Sequence, residues 1–129
     1  MVVRYSAGYI DRIFAEQDLL SIHQTIEVVA QTRLLPEEFW LFCRIYEWAP
    51  SRSGVWQYYE SLPNAKFERV SAALGRFGLH SIAERYRSGK DAWQDEDTMR
   101  TLDSWLDANA EGIHASLFAL IRSQTDLLK

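Results

Sequence analysis

Apolar residues recur with a period near 3.6 along almost the whole of this chain, and no run alternates with period two for long enough to make a strand. Leu19, Ile22, Ile26 and Val29 fall at i, i+3, i+7 and i+10. Phe67, Val70, Leu74 and Phe77 repeat that spacing, and Met99, Leu102 and Leu106 mark a third inner face. Each set covers one side of a helix and needs something to pack against. Val2-Val3 and Val28-Val29 are too short to count as strands. With 129 residues there is material for one sizeable core. The pattern predicts an all-α fold: residues 1–129 as a single-domain, compact orthogonal bundle of about seven or eight helices.

Start and stop signals divide the chain. Ser6 and Asp18 are suited to N-cap the first two helices. Pro36 starts a third, since its missing N–H is one that a first turn leaves unused, and Glu37 and Glu38 favour the positive end of its dipole. Phe39, Trp40, Leu41, Phe42, Ile45, Tyr46 and Trp48 make that helix apolar nearly all round, the pattern of a buried centre. Pro50 stops it, and Ser51-Arg52-Ser53-Gly54 reads as a loop. The next helix is expected from Ser53 or Gly54 to about Ser61. Pro63 opens another, which Gly78 closes as a left-handed C′ residue. A short helix with Leu79, Ile82, Ala83 and Tyr86 follows, closed by Ser88-Gly89. Residues 89–97 read as an internal excursion. Asp97 is expected to cap the helix after it, and Gly112 to interrupt before a last helix carrying Ile113, Leu117, Leu120, Ile121 and Leu128.

Composition excludes several classes. Aromatic residues at 13% argue against disorder, and no apolar run is long enough to span a bilayer. The first residues lack the layout of a signal peptide, and a lone Cys43 cannot form an internal disulfide, so a cytoplasmic location is expected. Charge is uneven. Residues 91–111 carry a net −6 and residues 66–90 a net +4, against −4 for the whole chain. Such a division can steer a partner, or can be two solvated surfaces that neutralise each other. A chain that is acidic overall, with Phe67 and Phe77 on an inner stripe rather than among the bases, is not expected to bind nucleic acid directly.

The common chemical motifs are missing. There is no phosphate-binding glycine loop, no Cys/His metal frame and no nucleophile elbow. His23 and Glu27 lie one turn apart, but two ligands make a poor metal site, so they are read as a structural pair. Cys43, beside Phe42, is read as a small core residue rather than a nucleophile. Asp103 and Asp107 stack one turn apart and are read as a solvated outer face. No metal, cofactor or catalytic residue is expected.

One stretch carries a resemblance. Gly54-Val55-Trp56-Gln57-Tyr58-Tyr59, followed by Ala73-Leu74-Gly75-Arg76-Phe77-Gly78-Leu79 and Ile82-Ala83, resembles a bacterial all-helical family of unknown function whose best-known members are described as DNA-mimic proteins. Leu102-Asp103 with Trp105 is similar to a weaker third block, and the likeness covers roughly residues 36–122. Ser53, Val55 and Ser61 depart from the family's glycine, phenylalanine and asparagine, while Gln57 and both ring positions match. The residues have a physical reading of their own. Gly54 permits a sharp turn, Val55, Tyr58 and Tyr59 share a face that can pin a short helix to a Trp40/Trp48 core, and Gln57 points elsewhere, free to satisfy loop backbone groups near Pro50 and Gly54.

The resemblance implies a non-enzymatic protein-interaction module. One version is an acidic decoy for a DNA-binding protein, with Asp95, Glu96, Asp97, Asp103, Asp107 and Glu111 as its contact set. The alternative is a small-molecule-binding or enzymatic domain with a pocket near Trp56 and Gln57. The many aromatics are also compatible with a homodimer.

Overall fold

The computed structural model describes residues 2–49 and 54–129. Pro50, Ser51, Arg52 and Ser53 lie outside them, and with them the expected proline stop and the serine that opens the family-like motif. Among the described residues the chain is all-α, without a strand. Its helices are α1 (Ala7–Ala15), α2 (Leu19–Thr32), α3 (Glu37–Trp48), α4 (Trp56–Glu60), α5 (Asn64–Arg76), α6 (His80–Ser88), α7 (Glu96–Ala108) and α8 (Ala110–Ile121), closed by a 3-10 stretch, Arg122–Leu128. None of these helices is long and apolar enough to cross a membrane.

The described residues group into two compact units. The first runs to Tyr46 and takes in Leu117–Lys129. Ser6 Oγ caps α1 by accepting the Tyr9 N–H, and Asp18 caps α2 by accepting both the N–H and the hydroxyl of Ser21. The Ser21 hydroxyl, then its N–H, hold the Asp18 carboxyl below the usual range. The turn between α1 and α2 is a paired C-terminal cap: Gln17 N–H reaches Phe14 O and Asp18 N–H reaches Ile13 O. Gln17 takes the left-handed position, with φ +52°. Ile10, Ile13, Ile22, Ile26 and Val29 are buried, as are Phe39, Leu41, Phe42 and Ile45 of α3. Phe118 meets Phe14 and Phe42 edge-on, with centroids 6.4 and 6.3 Å apart. The helix expected to run on to Leu128 ends at Ile121 and tightens into the 3-10 stretch, with non-helical backbone at Gln124. There Gln124 Nε2 donates to Glu38 at 2.9 Å, and the tighter turn buries Leu128.

The second unit holds the described residues of Glu47–Ser116. Its core is a hydrogen-bonded aromatic group. Trp48 Nε1 donates to the Tyr59 hydroxyl at 2.9 Å, that hydroxyl donates to Tyr86 O at 2.5 Å, and the Tyr58 and Tyr86 hydroxyls share a bond of 2.7 Å. Phe67 stacks on Tyr86 at 5.7 Å. Burial pushes the Tyr59 and Tyr86 phenols far above their ordinary range. α5 ends in a second paired cap: Gly78 N–H reaches Gly75 O, Leu79 N–H reaches Leu74 O, and Gly78 stands at φ +75°. Gly89 closes α6 with ordinary right-handed backbone, so what it supplies is space: a Cβ there would overlap the Tyr59 ring.

Three further boundaries differ from expectation. α4 starts at Trp56 rather than at Ser53 or Gly54, because Gly54 has φ +104°. Asp95, not Asp97, caps α7, accepting the Asp97 N–H at 3.2 Å and the Thr98 hydroxyl at 2.7 Å. That leaves Glu96 and Asp97 in the first turn, where the helix dipole favours acids. The break before α8 falls at Asn109, whose side-chain amide bonds Trp105 O at 2.8 Å, and Gly112 lies inside α8.

Candidate functional site

The family-like motif divides by burial into a buried half and an open half. Val55 and Tyr59 are buried; Trp56 and Tyr58 are half-buried and Gln57 is exposed. Tyr59 reaches Trp48 directly, and Tyr58 joins the same group through the Tyr59 ring and the Tyr86 hydroxyl. Among the described residues, Gln57 uses its backbone N–H, which meets Gly54 O at 3.3 Å. Val55, at the N-cap of α4, has no side-chain oxygen to give. Asp103 of α7 satisfies the backbone of Val55 itself, its Oδ1 accepting the Val55 N–H at 2.9 Å. Gly54 is required twice over. Its φ of +104° suits only glycine, and a Cβ there would stand 2.9 Å from Trp56 Cδ1.

Around this turn lies a cleft of about 530 Å³, lined by Gly54, Trp56, Trp93, Gln94, Glu96, Met99, Arg100 and Asp103. Two indoles and a thioether give it apolar surface, and Glu96 and Asp103 give it negative charge. Arg100 is the cation among these residues, and its guanidinium lies 3.3 Å from Asp97, both groups being largely exposed.

The six acids of the expected contact set have separate fates. Asp95 is a cap, with its carboxyl held low by the Thr98 hydroxyl first and the Asp97 N–H after it. Asp97 pairs with Arg100. Asp103 is half-buried and bonded to Val55, so it is not the solvated partner of Asp107 that its spacing suggests. Asp107 is exposed, and Glu111 is exposed in the first turn of α8. Glu96, Asp103 and Asp107 fall at i, i+7 and i+11 of α7, on one line of its surface, with Arg100 among them. The basic stretch is engaged locally: Lys66 pairs with Glu47 at 3.3 Å, and Arg85 lies over the Trp105 ring at 5.3 Å.

Tertiary packing adds Trp93, Gln94 and Arg100 to the residues singled out by sequence, and brings Met99, read there as part of an inner face, to the cleft. Of these, Trp93 carried a signal: a tryptophan inside a segment read as a polar excursion. No family model, no curated protein and no solved structure matches the chain.

Proposed function

We propose that this chain is a non-catalytic protein-interaction module, and that the cleft of Trp56 and Trp93 receives a basic segment of a partner protein. The observation that carries the reading is the meeting of two indoles with the carboxylates of Glu96 and Asp103 in one cleft. A cation is attracted both to the carboxylates and to the face of an indole, by about 0.5–2 kcal/mol for the ring alone. Tryptophan, methionine and arginine are also the residues enriched where protein partners bind. One oxygen of Asp103 is already bonded to the Val55 N–H, which favours binding over acid–base chemistry at that group. A partner that normally contacts DNA would fit, because such proteins present basic segments. The acids alone support a pure phosphate mimic less well, since Asp95, Asp97 and Asp103 are bonded within the chain.

Tryptophan emission of the full chain, titrated with lysine- and arginine-rich peptides and with acidic peptides of equal length, tests the reading. Basic peptides are expected to bind with salt-sensitive affinity. Trp93→Ala and Glu96→Gln should weaken them, and Arg100→Ala should strengthen them by removing a like charge. Equal binding of acidic peptides, or no response to Trp93→Ala, would overturn it.

The cleft's volume also lies in the range of small-molecule sites, which favours a second reading: a small organic cation held by the same groups. Asp107 separates the two. Asp107→Lys should weaken a peptide that extends along α7 and leave a small ammonium ligand unaffected.

A further inference from the structure

We infer that His23, Glu27 and Cys43 form a binding site for a single divalent ion of the zinc class, within the first unit. α2 sets His23 and Glu27 one turn apart on one flank, and α3 brings Cys43 up to them. One ring nitrogen, one carboxylate oxygen and the thiol sulfur lie within 4.8 Å of one another. Around a tetrahedral zinc ion such atoms stand about 3.3–3.8 Å apart, so side-chain rotation of about 1 Å would close the set.

A second observation points the same way. His23 Nε2 is buried and has no hydrogen-bond partner among the described residues, although Glu27 Oε1 is 3.7 Å away. A buried polar atom left unpaired in a folded protein is a recognised sign of a missing water or ion. The ring stacks on Tyr46, with centroids 4.6 Å apart. The donor set also has a preference. Imidazole, thiolate and carboxylate together suit zinc, whereas calcium and magnesium want oxygen alone. Cys43 is buried, while the side chains of His23 and Glu27 are 20% and 38% exposed. Solvent therefore reaches the site from one side, which provides a path for the ion and a water as fourth ligand.

Arg44 is the counter-charge. Its guanidinium pairs with Glu27 Oε1 and lies 5.7 Å from the centroid of the Trp40 ring. An incoming dication would take over the neutralisation of Glu27, and the guanidinium would keep its place over the indole. Arg44 thus competes with the metal, and removing its charge should favour the ion. Binding also displaces the Cys43 thiol proton to solvent, so affinity should rise with pH.

Chelator-treated full chain, titrated with cobalt(II) and back-titrated with zinc(II), tests this. One cobalt per chain is expected, with a thiolate-to-metal charge-transfer band in the near ultraviolet that zinc abolishes. Cys43→Ser should remove the band. His23→Ala and Glu27→Gln should each weaken binding by at least the roughly tenfold that loss of even an outer-shell partner costs. Arg44→Gln should strengthen it. Cys43 lies in the core and its variant can fail to fold, so the two α2 variants, checked by circular dichroism, decide the matter. No charge-transfer band at a large excess of cobalt would overturn the inference. So would a band that His23→Ala and Glu27→Gln leave unchanged.

Discussion

Asp103 accepts the backbone N–H of Val55 at 2.9 Å, across 48 positions of sequence. The bond satisfies the backbone N–H of the residue that opens α4, and it ties the motif turn to α7. An acid that reads as part of a solvated face is thereby a structural group. Asp103→Ala should cost about 1.5–3 kcal/mol, the range for a hydrogen bond to a charged group. Asp107→Ala, one turn on and exposed, should stay within about 0.5 kcal/mol. Urea unfolding of the two variants side by side checks the contrast, and equal values would remove the structural role.

The Tyr59 hydroxyl serves Trp48 Nε1 and Tyr86 O together. Tyr59→Phe would leave a buried donor and a buried acceptor unpaired, at a cost of about 1–3 kcal/mol. Gly89→Ala attacks the same ring from outside, by overlap with its edge, and should cost about 1–3 kcal/mol in overpacking. Thermal or urea unfolding measures both. A neutral Gly89→Ala would mean that the Tyr59 ring can shift.

Two paired helix ends share a geometry but not a residue. Gly78 occupies the left-handed position after α5, and Gln17 occupies it after α1. Nothing lies within 4 Å of a Cβ placed at Gly78, so Gly78→Ala isolates the backbone cost, about 1–2 kcal/mol. Gln17→Gly relieves the same strain but loosens the unfolded chain, for a net gain of about 0.5–1 kcal/mol. Opposite signs in denaturant midpoints are expected. A destabilising Gln17→Gly would show that the glutamine side chain makes up for its backbone.

Stability should fall at both ends of the pH scale, for different groups. Asp18 and Asp95 have folded carboxyls held below the ordinary value, about 3.9 in an unfolded chain. Their contribution is complete above that value and is lost as pH falls through the lower folded ones. Asp18→Asn and Asp95→Asn should therefore flatten the acid limb of a plot of thermal midpoint against pH. Tyr59 and Tyr86 behave in the opposite sense, because their folded phenols are raised. Their contribution is complete below about pH 10, where an unfolded tyrosine begins to ionise, and declines above it. In an absorbance titration, Tyr59 and Tyr86 should resist ionisation until the chain unfolds. Six tyrosines that titrate together near the ordinary value would contradict the burial.

Much of the architecture was written locally. The 3.6-residue stripes named the buried faces of α2, α5 and α7, and Ser6, Asp18, Pro36, Pro63 and Gly78 each act where their own chemistry puts them. Such features depend on residues three or four apart, which a sequence displays. The choice of Asp95 over Asp97 as cap was less legible, since either can fill that role and the Thr98 hydroxyl decided between them. Gly89 gave no local sign of its function, because what it avoids is a ring 30 positions earlier.

The candidate sites were legible only in part. Trp56, Glu96 and Asp103 stood out in sequence for separate reasons, but their companions Trp93 and Arg100 come from a segment that looked like a polar excursion and from the helix after it. His23 and Glu27 announced themselves as a pair, and only the packing of α3 on α2 supplies Cys43 as a third donor. The sequence by itself determined that this chain is helical, where most of its helices begin, and which of their faces turn inward, because these follow from short-range backbone chemistry and hydrophobic period. Tertiary structure decided which acids are surface and which are structural, and which side chains converge, because convergence depends on contacts between residues distant in the chain.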